Sequence, residues 1–478
     1  MLKTLLTTAT LLGFLSLNLK AQAPDTAWTK KYHRGNYDDC KWIEETSDSG
    51  FVLVGVSEIN SNPIDILLVR TDAEGDTLWT HSYGCTIGQN ASCVREDHDG
   101  GFVIAGYMSL SMTLKNAWII KTDSQGDTVW TARYGGDRNA EAFNVSCTPD
   151  SGYIVTGRKY DPGQFANVFL LKLTSQGGIE WARTFGGPGY EEGYSVQQTA
   201  DGGYMVAGSK DSTGRGYDFY LIRTDADGIL QWSRTYGGLQ YDHCTSAEQT
   251  IDGGYIMFGE SDSYIPNSSL AVKTDASGDT LWTKVYHRSN GDYGWSVYQA
   301  SDGGFIFGGY TNNPGFLDDY WFVRTDANGD TLWMKSVGHG DDQRGYRVLQ
   351  ASDGGYVLAG YSSEGVPTGG DFFVVKLNGF TTGIHNNRSA PNAFVLYQNY
   401  PNPFNPGTTI RYGLARNSFV MLTVYNTLGQ QVAQLVNELQ QAGDQEIVFR
   451  SDGLASGVYF YRLQAGGVAE TRKFVVLR

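Results

Sequence analysis

Asp302-Gly-Gly-Phe-Ile-Phe-Gly-Gly-Tyr310, followed fifteen residues later by Thr325-Asp-Ala-Asn-Gly-Asp-Thr-Leu-Trp333, holds the pattern that decides the fold. The first stretch opens on a tight turn, because paired glycines tolerate positive φ, and runs into a strand of aromatic and β-branched residues. The second opens on a D-x-x-G turn. There the aspartate accepts local backbone hydrogen bonds, the glycine takes the left-handed position, and a strand carrying tryptophan follows. Both stretches recur. D-[GS]-G-[FY] starts at Asp48, Asp99, Asp150, Asp201, Asp252, Asp302 and Asp353, at a spacing of 51 residues with one interval of 50. Tryptophan keeps the same step at Trp28, Trp79, Trp130, Trp181, Trp232, Trp282 and Trp333. Two independent markers at one period, seven times each, define an internal repeat.

One repeat holds four strands. In the fourth repeat they are Tyr194–Thr199, Gly203–Gly208, Asp218–Thr224 and Ile229–Tyr236. Four-stranded units of this length match the blades of a β-propeller, whereas linear solenoids use shorter repeats. The ends of the repeat region agree. It opens on a lone tryptophan strand, Ala27–His33, and stops after Phe372–Leu377, the third strand of the last unit. The first strand is expected to complete the seventh blade, which closes the ring and removes exposed strand edges. Each tryptophan is expected to pack between neighbouring blades.

The 478 residues carry a formal net charge of −15, which argues against a nucleic-acid or anionic-membrane partner. Residues 1–23 read as a signal peptide: Lys3 supplies the positive start, Leu5–Leu17 is apolar but short, and Ala21-Gln-Ala23 is an A-x-A cleavage site. The mature chain is expected to begin near Pro24 and to hold no transmembrane segment. The cysteines are Cys40, Cys85, Cys93, Cys147 and Cys244; the odd count leaves one unpaired, and Cys85 and Cys93 are near enough to close a small loop. No C-x-x-C occurs, so the fold does not depend on a disulfide or zinc framework.

After Leu377 the repeat ends. Residues 24–377 form the expected propeller, 378–393 a polar linker, and 394–478 a small Ig-like β-sandwich, giving an all-β fold class overall. The last segment carries Gln398-Asn-Tyr-Pro-Asn-Pro-Phe-Asn405, Val424-Tyr-Asn-Thr-Leu-Gly-Gln430, Ser456-Gly-Val-Tyr459 and Lys473-Phe-Val-Val-Leu477. In this order they closely resemble the type A C-terminal sorting domain of type IX secretion substrates. The resemblance implies export from a Gram-negative bacterium in two steps, first to the periplasm and then across the outer membrane. It implies the secretion machinery as partner, and a surface-attached or released product from which the domain is removed. The residues that match the sorting motifs are Pro401, Asn402, Pro403, Phe404, Asn405, Gly457, Tyr459, Lys473 and Leu477.

The chemistry is less legible. The D-G-G and D-x-x-G turns lie on one face and hardly vary. The connections after each second strand, such as Lys159–Ala166 and Ser261–Asn267, lie on the other and differ freely, which is where a rigid scaffold builds binding sites. Ten residues before each D-G-G aspartate stand Asp38, Gln89, Ala140, Glu191, Asp242, Asp292 and Gln343. Four of the seven are acidic, and tyrosine precedes three of them, as Tyr37, Tyr190 and Tyr241. Carboxylates and aromatic faces around a channel mouth suit a cation, an amine or a sugar; the plain alternative is solvated loop residues that cap turns. The seven histidines show no ligand spacing, and no cofactor is indicated. T-D-x-x-G-D-T-L-W resembles the Asp-box of sialidases, but its Asp-to-Gly interval is one residue longer and no arginine triad can be picked out. The expectation is a non-catalytic binding scaffold for an extracellular glycan, protein or cation. The rival is a hydrolase or lyase acting on extracellular glycans.

Overall fold

The computed structural model describes residues 22–379, apart from the connections 59–63, 85–86, 162–164, 212–215, 289–290, 313–316, 339 and 366–368. In the tail it describes 395–476, apart from 397–398, 400–401, 403, 405–406, 415–417, 441–442, 452 and 466–467. Nearly all of the expected signal peptide and linker lie outside the described residues, as do Cys85, Pro401, Pro403, Asn405 and Leu477.

The chain divides into two compact units, 1–381 and 382–478. The first is a seven-bladed propeller of four-stranded antiparallel sheets. Blade 1 runs Tyr37–Glu45, Phe51–Glu58, Asp65–Thr71 and Thr77–Tyr83, from the inner strand to the outer. In blade 7, Gln343–Gln350, Tyr356–Ser362 and Asp371–Leu377 take their fourth, outer strand from Thr26–Tyr32 at the start of the chain. Trp28 pairs with Lys376 and Tyr32 with Phe372, so the first and last strands of the ring are hydrogen-bonded neighbours as expected.

The repeated motifs are the joints of this ring. Each motif aspartate accepts the N–H of the glycine two residues on in blades 1 to 7, as Asp201 does from Gly203 at 3.3 Å. It also pairs with a buried cation on the third strand of its own blade: Arg70, Lys121, Lys172, Arg223, Lys273, Arg324 and Lys376 in turn. In Asp150 these contacts outweigh the effect of burial and hold the carboxyl down at about 2. Each tryptophan meets the aromatic residue of the next blade's D-G-G-[FY] motif edge-on: Trp28–Phe51 at 6.0 Å, Trp181–Tyr204 at 5.7 Å and Trp333–Tyr356 at 5.7 Å. In six of the seven joints the indole also roofs the next blade's D-x-x-G glycine, where a Cβ would lie within 3.0 Å of the ring. Glycine is required there twice over, by a φ near +80° and by the ring above it. Most of the indoles are half-buried rather than fully enclosed, because their outer faces remain on the rim; Trp333 is the buried exception.

Cys40, Cys93 and Cys244 are buried free thiols and Cys147 is a half-buried one. Of the expected Cys85–Cys93 pair, Cys85 lies outside the described residues, and Cys93 is a free thiol in the apolar packing between blades 2 and 3, beside Val103, Ala142 and Val155.

In the second unit, Gly407–Leu414 pairs with Val395–Leu396 and with Gly443–Arg450 in one sheet. The other sheet orders Gln431–Gln440, Ser418–Tyr425, Gly457–Ala465 and Val468–Val476. Leu396, Ile410, Tyr412, Leu422, Val424, Tyr461, Leu463, Phe474 and Val476 fill the core of this sandwich. Phe404 stacks into it against Phe449 and Phe474, at 6.2 and 5.3 Å. Asn402 ties the same segment to the last strand by accepting the Val475 N–H at 2.8 Å. Tyr459 lies nearly parallel to Phe474 at 5.6 Å, and Lys473 is exposed beside it.

Candidate functional site

The inner strand of every blade contains a β-bulge, always at the same place. The register slips between Cys40 and Trp42, Ala91 and Cys93, Ala142 and Asn144, Gly193 and Ser195, Cys244 and Ser246, Gly294 and Ser296, and Gly345 and Arg347. A bulge inserts one unpaired residue and re-aims its side chain. The extra residues are Lys41, Ser92, Phe143, Tyr194, Thr245, Trp295 and Tyr346, and together they line a central cavity of about 210 Å³. The residue before each bulge is small because the neighbouring blade leaves no room. A Cβ on Gly193 would come within 2.4 Å of Thr156, and one on Gly294 within 2.6 Å of Phe258.

The wall is aromatic. Phe143 and Tyr194 stack at 4.9 Å, Trp295 and Tyr346 meet edge-on at 5.0 Å, and Lys41 lies over Tyr346 at 4.5 Å. Deeper along the strands, the Trp42 indole has Arg347 at 4.2 Å and Arg95 at 4.8 Å. Those guanidinium groups are answered by Glu248 and Glu44. Burial, and Arg95 beside it, lower the Arg347 pKa; burial raises that of Glu248.

Where the inner strands begin, polar groups gather. Arg158 bridges Glu141 and Glu192 at 2.8 and 2.5 Å, and the Tyr194 hydroxyl donates to Glu192 at 2.5 Å. Lys41 pairs with Asp39, and Arg344 with Asp318. His243 is enclosed by three tyrosines: Tyr241 stacked at 5.7 Å, Tyr194 edge-on at 5.0 Å and Tyr217 edge-on at 6.0 Å. Burial there pushes the imidazole down to about 4, against the opposing pull of Glu192. Glu260, cross-strand from His243, is pushed up to about 7 by burial, with Asp262 adding to it.

Of the residues singled out in the sequence, the tyrosines lie among this aromatic set. Tyr37 donates to Asp39 at 2.9 Å and sits 5.9 Å from Tyr361, Tyr190 packs on Phe165 at 4.8 Å, and Tyr241 forms part of the His243 enclosure. The four carboxylates are placed differently from expectation. Asp38, Glu191, Asp242 and Asp292 are all 0% exposed. Three of them hold the turn that leads in from the preceding outer strand. Asp38 Oδ2 accepts from Arg34 and Gly35, Asp242 Oδ2 from Gly238, and Asp292 Oδ2 from Arg288. Glu191 is paired with Lys210 at 3.3 Å. Acidic side chains one position later, at Asp39, Glu141 and Glu192, lie on the opposite face of the strand, because successive side chains alternate between faces. The signal for the wall was present in the repeat. Two residues after the expected acidic position, the seven blades carry Cys40, Ala91, Ala142, Gly193, Cys244, Gly294 and Gly345, all small, while the residues on either side are bulky or charged in most blades.

Residues 398–477 match the family described as the secretion system C-terminal sorting domain. The tail is thus a type IX sorting domain, and it directs the chain to the outer surface or the surroundings of a Gram-negative cell. Over 118 residues, 22% of the chain, the sequence is 33% identical to a protein of Caulobacter vibrioides described as regulatory protein FlaEY, of which the match spans only 12%. Among solved structures, the WD40 domain of Neurospora crassa Pan2 aligns with 76% of this chain and 97% of its own, at 8% identity and a TM-score of 0.50, a likeness of propeller fold. PorZ of Porphyromonas gingivalis, described as an essential bacterial surface component of the type IX secretion system, aligns with 92% of this chain and 59% of its own, at 12% identity and a TM-score of 0.43.

Proposed function

We propose that the exported propeller is a binding protein that receives an extracellular saccharide at the mouth of its central channel. The observation that carries this reading is the set of seven bulges, which turn Phe143, Tyr194, Trp295 and Tyr346 into one cavity. Flat aromatic faces pack against the apolar face of a sugar ring, and carboxylates and guanidinium groups nearby take up its hydroxyls. Glu192, Glu141 and Arg158 are already hydrogen-bonded into a fixed array, so little ordering is needed on binding. In this reading Tyr37, Tyr190 and Tyr241 extend the surface the ligand meets. Asp38, Asp242 and Asp292 hold the loops that carry it, and Glu191 supports them from its pairing with Lys210. The working unit is the propeller 24–377, freed of its signal peptide 1–23 and joined by the linker 378–393 to the removable sorting domain 394–478.

A second reading has one specific observation behind it. Glu260 is held up at about 7 beside an aromatic wall, the condition of a carboxyl able to donate a proton at neutral pH. A hydrolase acting on the same saccharides would use it. Glycan-array screening of the purified propeller, followed by calorimetry on the hits, tests the binding reading. Incubation of the same hits with product analysis separates the two: affinity without turnover supports a binding protein, and released fragments support the hydrolase. Absence of any saccharide ligand would overturn both.

A further inference from the structure

The closure of the ring differs from the other six blade junctions in one chemical respect. At each junction the residue after the outer strand, the first residue of the next inner strand and a residue at the start of a third strand converge. At Gly84, Gly186, Gly237 and Gly338 a Cβ would lie within 2.6 Å of a side-chain oxygen of Asp65, Asn167, Asp218 or Asp319, and also close to Glu191, Asp242 or Gln343 in the last three. At Gly135 the neighbour is the Asn116 amide. His287 takes the place of glycine beside Asp292, but the residue that begins the third strand there is Ser268, which carries no charge. Among the described residues, only at the seam does an imidazole stand between two carboxylates. His33 follows the closing strand, Asp38 begins blade 1, and Asp371 begins the third strand of blade 7. One ligand atom from each lies within 4.8 Å of the other two.

The charges at this point are unbalanced. Asp38 is wholly buried and the Asp371 side chain is 8% exposed. Among the described residues, the only cationic partner of either is His33, with Nδ1 2.6 Å from Asp371 Oδ1 and 3.8 Å from Asp38 Oδ2. Asp38 Oδ2 accepts two backbone N–H groups, but the buried Oδ1 has no hydrogen-bond partner. Two buried carboxylates sharing one imidazole repel each other unless a proton or a metal ion neutralises them, and an orphaned buried carboxylate oxygen costs stability.

We propose that His33, Asp38 and Asp371 form a site for a divalent transition-metal ion, with zinc the best match, that pins the closing strand of the ring. One imidazole nitrogen and two carboxylates are the ligand types zinc takes at about 2.0–2.2 Å, with water completing the shell. The His33 side chain is 61% exposed, so a small rotation of its ring opens the space between Nδ1 and Oδ1. A bound ion would tie the first strand of the chain to blades 1 and 7 at once. Because the unfolded chain scatters these ligands, binding would stabilise the closed ring. The site is separate from the aromatic cavity and does not depend on how that cavity is read.

The test is zinc titration of the purified exported chain by calorimetry, with thermal melts in zinc, in calcium and in chelator. The expected result is one zinc per chain and a higher melting temperature in zinc than in chelator. Affinity should fall at least tenfold in His33→Ala and in Asp371→Asn, and stay unchanged in His287→Ala. If Asp371→Asn fails to fold, the exposed His33→Ala still decides the matter. Absence of saturable binding, binding unaffected by His33→Ala, or calcium binding in preference to zinc would each overturn the assignment.

Discussion

Ser352 donates its backbone N–H and its hydroxyl to the two oxygens of Glu45, each at 2.7 Å, across 307 residues of sequence. Ser47 and Glu96 make the same contact between blades 1 and 2. Gln249, Gln299 and Gln350 accept the equivalent N–H groups of Ala200, Ile251 and Ser301 elsewhere in the ring. The seam is thus joined by an ordinary inter-blade link as well as by the shared sheet. Glu45→Ala is expected to lower stability by about 1 kcal/mol, the usual worth of a charge-assisted pair at the surface. Glu96→Ala should cost a similar amount in urea melts. A much larger loss for Glu45→Ala alone would mean that closure depends on this pair.

The outer joints rank the tryptophans. Trp28 meets Phe51 edge-on and covers Gly75 but stays half-buried, whereas Trp333 is 3% exposed and sits in a core with Tyr320, Phe322 and Tyr356. Trp333→Ala should therefore cost about 3–5 kcal/mol and Trp28→Ala about 2 kcal/mol. Chemical denaturation of the two variants checks the order. Equal losses would show that the closing strand is as tightly held as an internal one.

The buried carboxylates and the tyrosines should separate in their effects. Asp242→Ala removes the acceptor for the Gly238 N–H and for the Ser261 and Ser263 hydroxyls, and should cost about 2–3 kcal/mol of stability. Tyr217→Ala, beside His243, should leave the melting temperature nearly unchanged and weaken saccharide binding by about tenfold, near 1.4 kcal/mol. The reverse pattern, with affinity lost in Asp242→Ala at unchanged stability, would put the carboxylates in contact with the ligand.

The tail gives a prediction about export. Its last strand, Val468–Val476, forms an edge of the second sheet and supplies Phe474 and Val476 to the core. Deleting residues 467–478 should strand the protein in the periplasm, read by fractionation and immunoblotting. Normal appearance of the truncated chain in the medium would show that the sorting signal lies elsewhere.

The parts legible in the sequence are those that recur. The D-G-G turn, the D-x-x-G turn and the tryptophan could be counted because the same backbone requirement and the same inter-blade contact are met seven times. The missing strand after Leu377 pointed directly to closure by Trp28. The wall of the cavity was marked only indirectly, by the small residue that precedes each bulge, since the bulged position has no residue type of its own. Lys41, Ser92 and Thr245 occupy the same place as the aromatic Phe143, Tyr194, Trp295 and Tyr346, so no single residue type marks it. One inserted residue also shifts the alternation of faces, so a strand read without the bulge misplaces the side chains beyond it. The metal-competent seam was hidden for another reason: His33, Asp38 and Asp371 meet only when the ring closes.

Glu260 makes the channel mouth sensitive to pH. Its carboxyl has an ordinary value of 4.5 and is pushed up to about 7, first by burial and then by Asp262. A raised carboxyl means that the folded chain keeps a proton which the unfolded chain has already released. Folding stability is therefore unaffected by this group below about 4.5, falls as pH rises from there, and reaches its full loss above about 7. The shift corresponds to at most about 3 kcal/mol, and partial access of solvent brings the expected loss nearer 1–2 kcal/mol. Glu260→Gln, which has no charge to release, should melt at a temperature that changes less between pH 5 and pH 8 than that of the unaltered chain. The two should converge at pH 5 and differ most at pH 8. Parallel pH profiles would show that Glu260 ionises as an exposed carboxylate does, and would remove the observation that favours a proton-donating role.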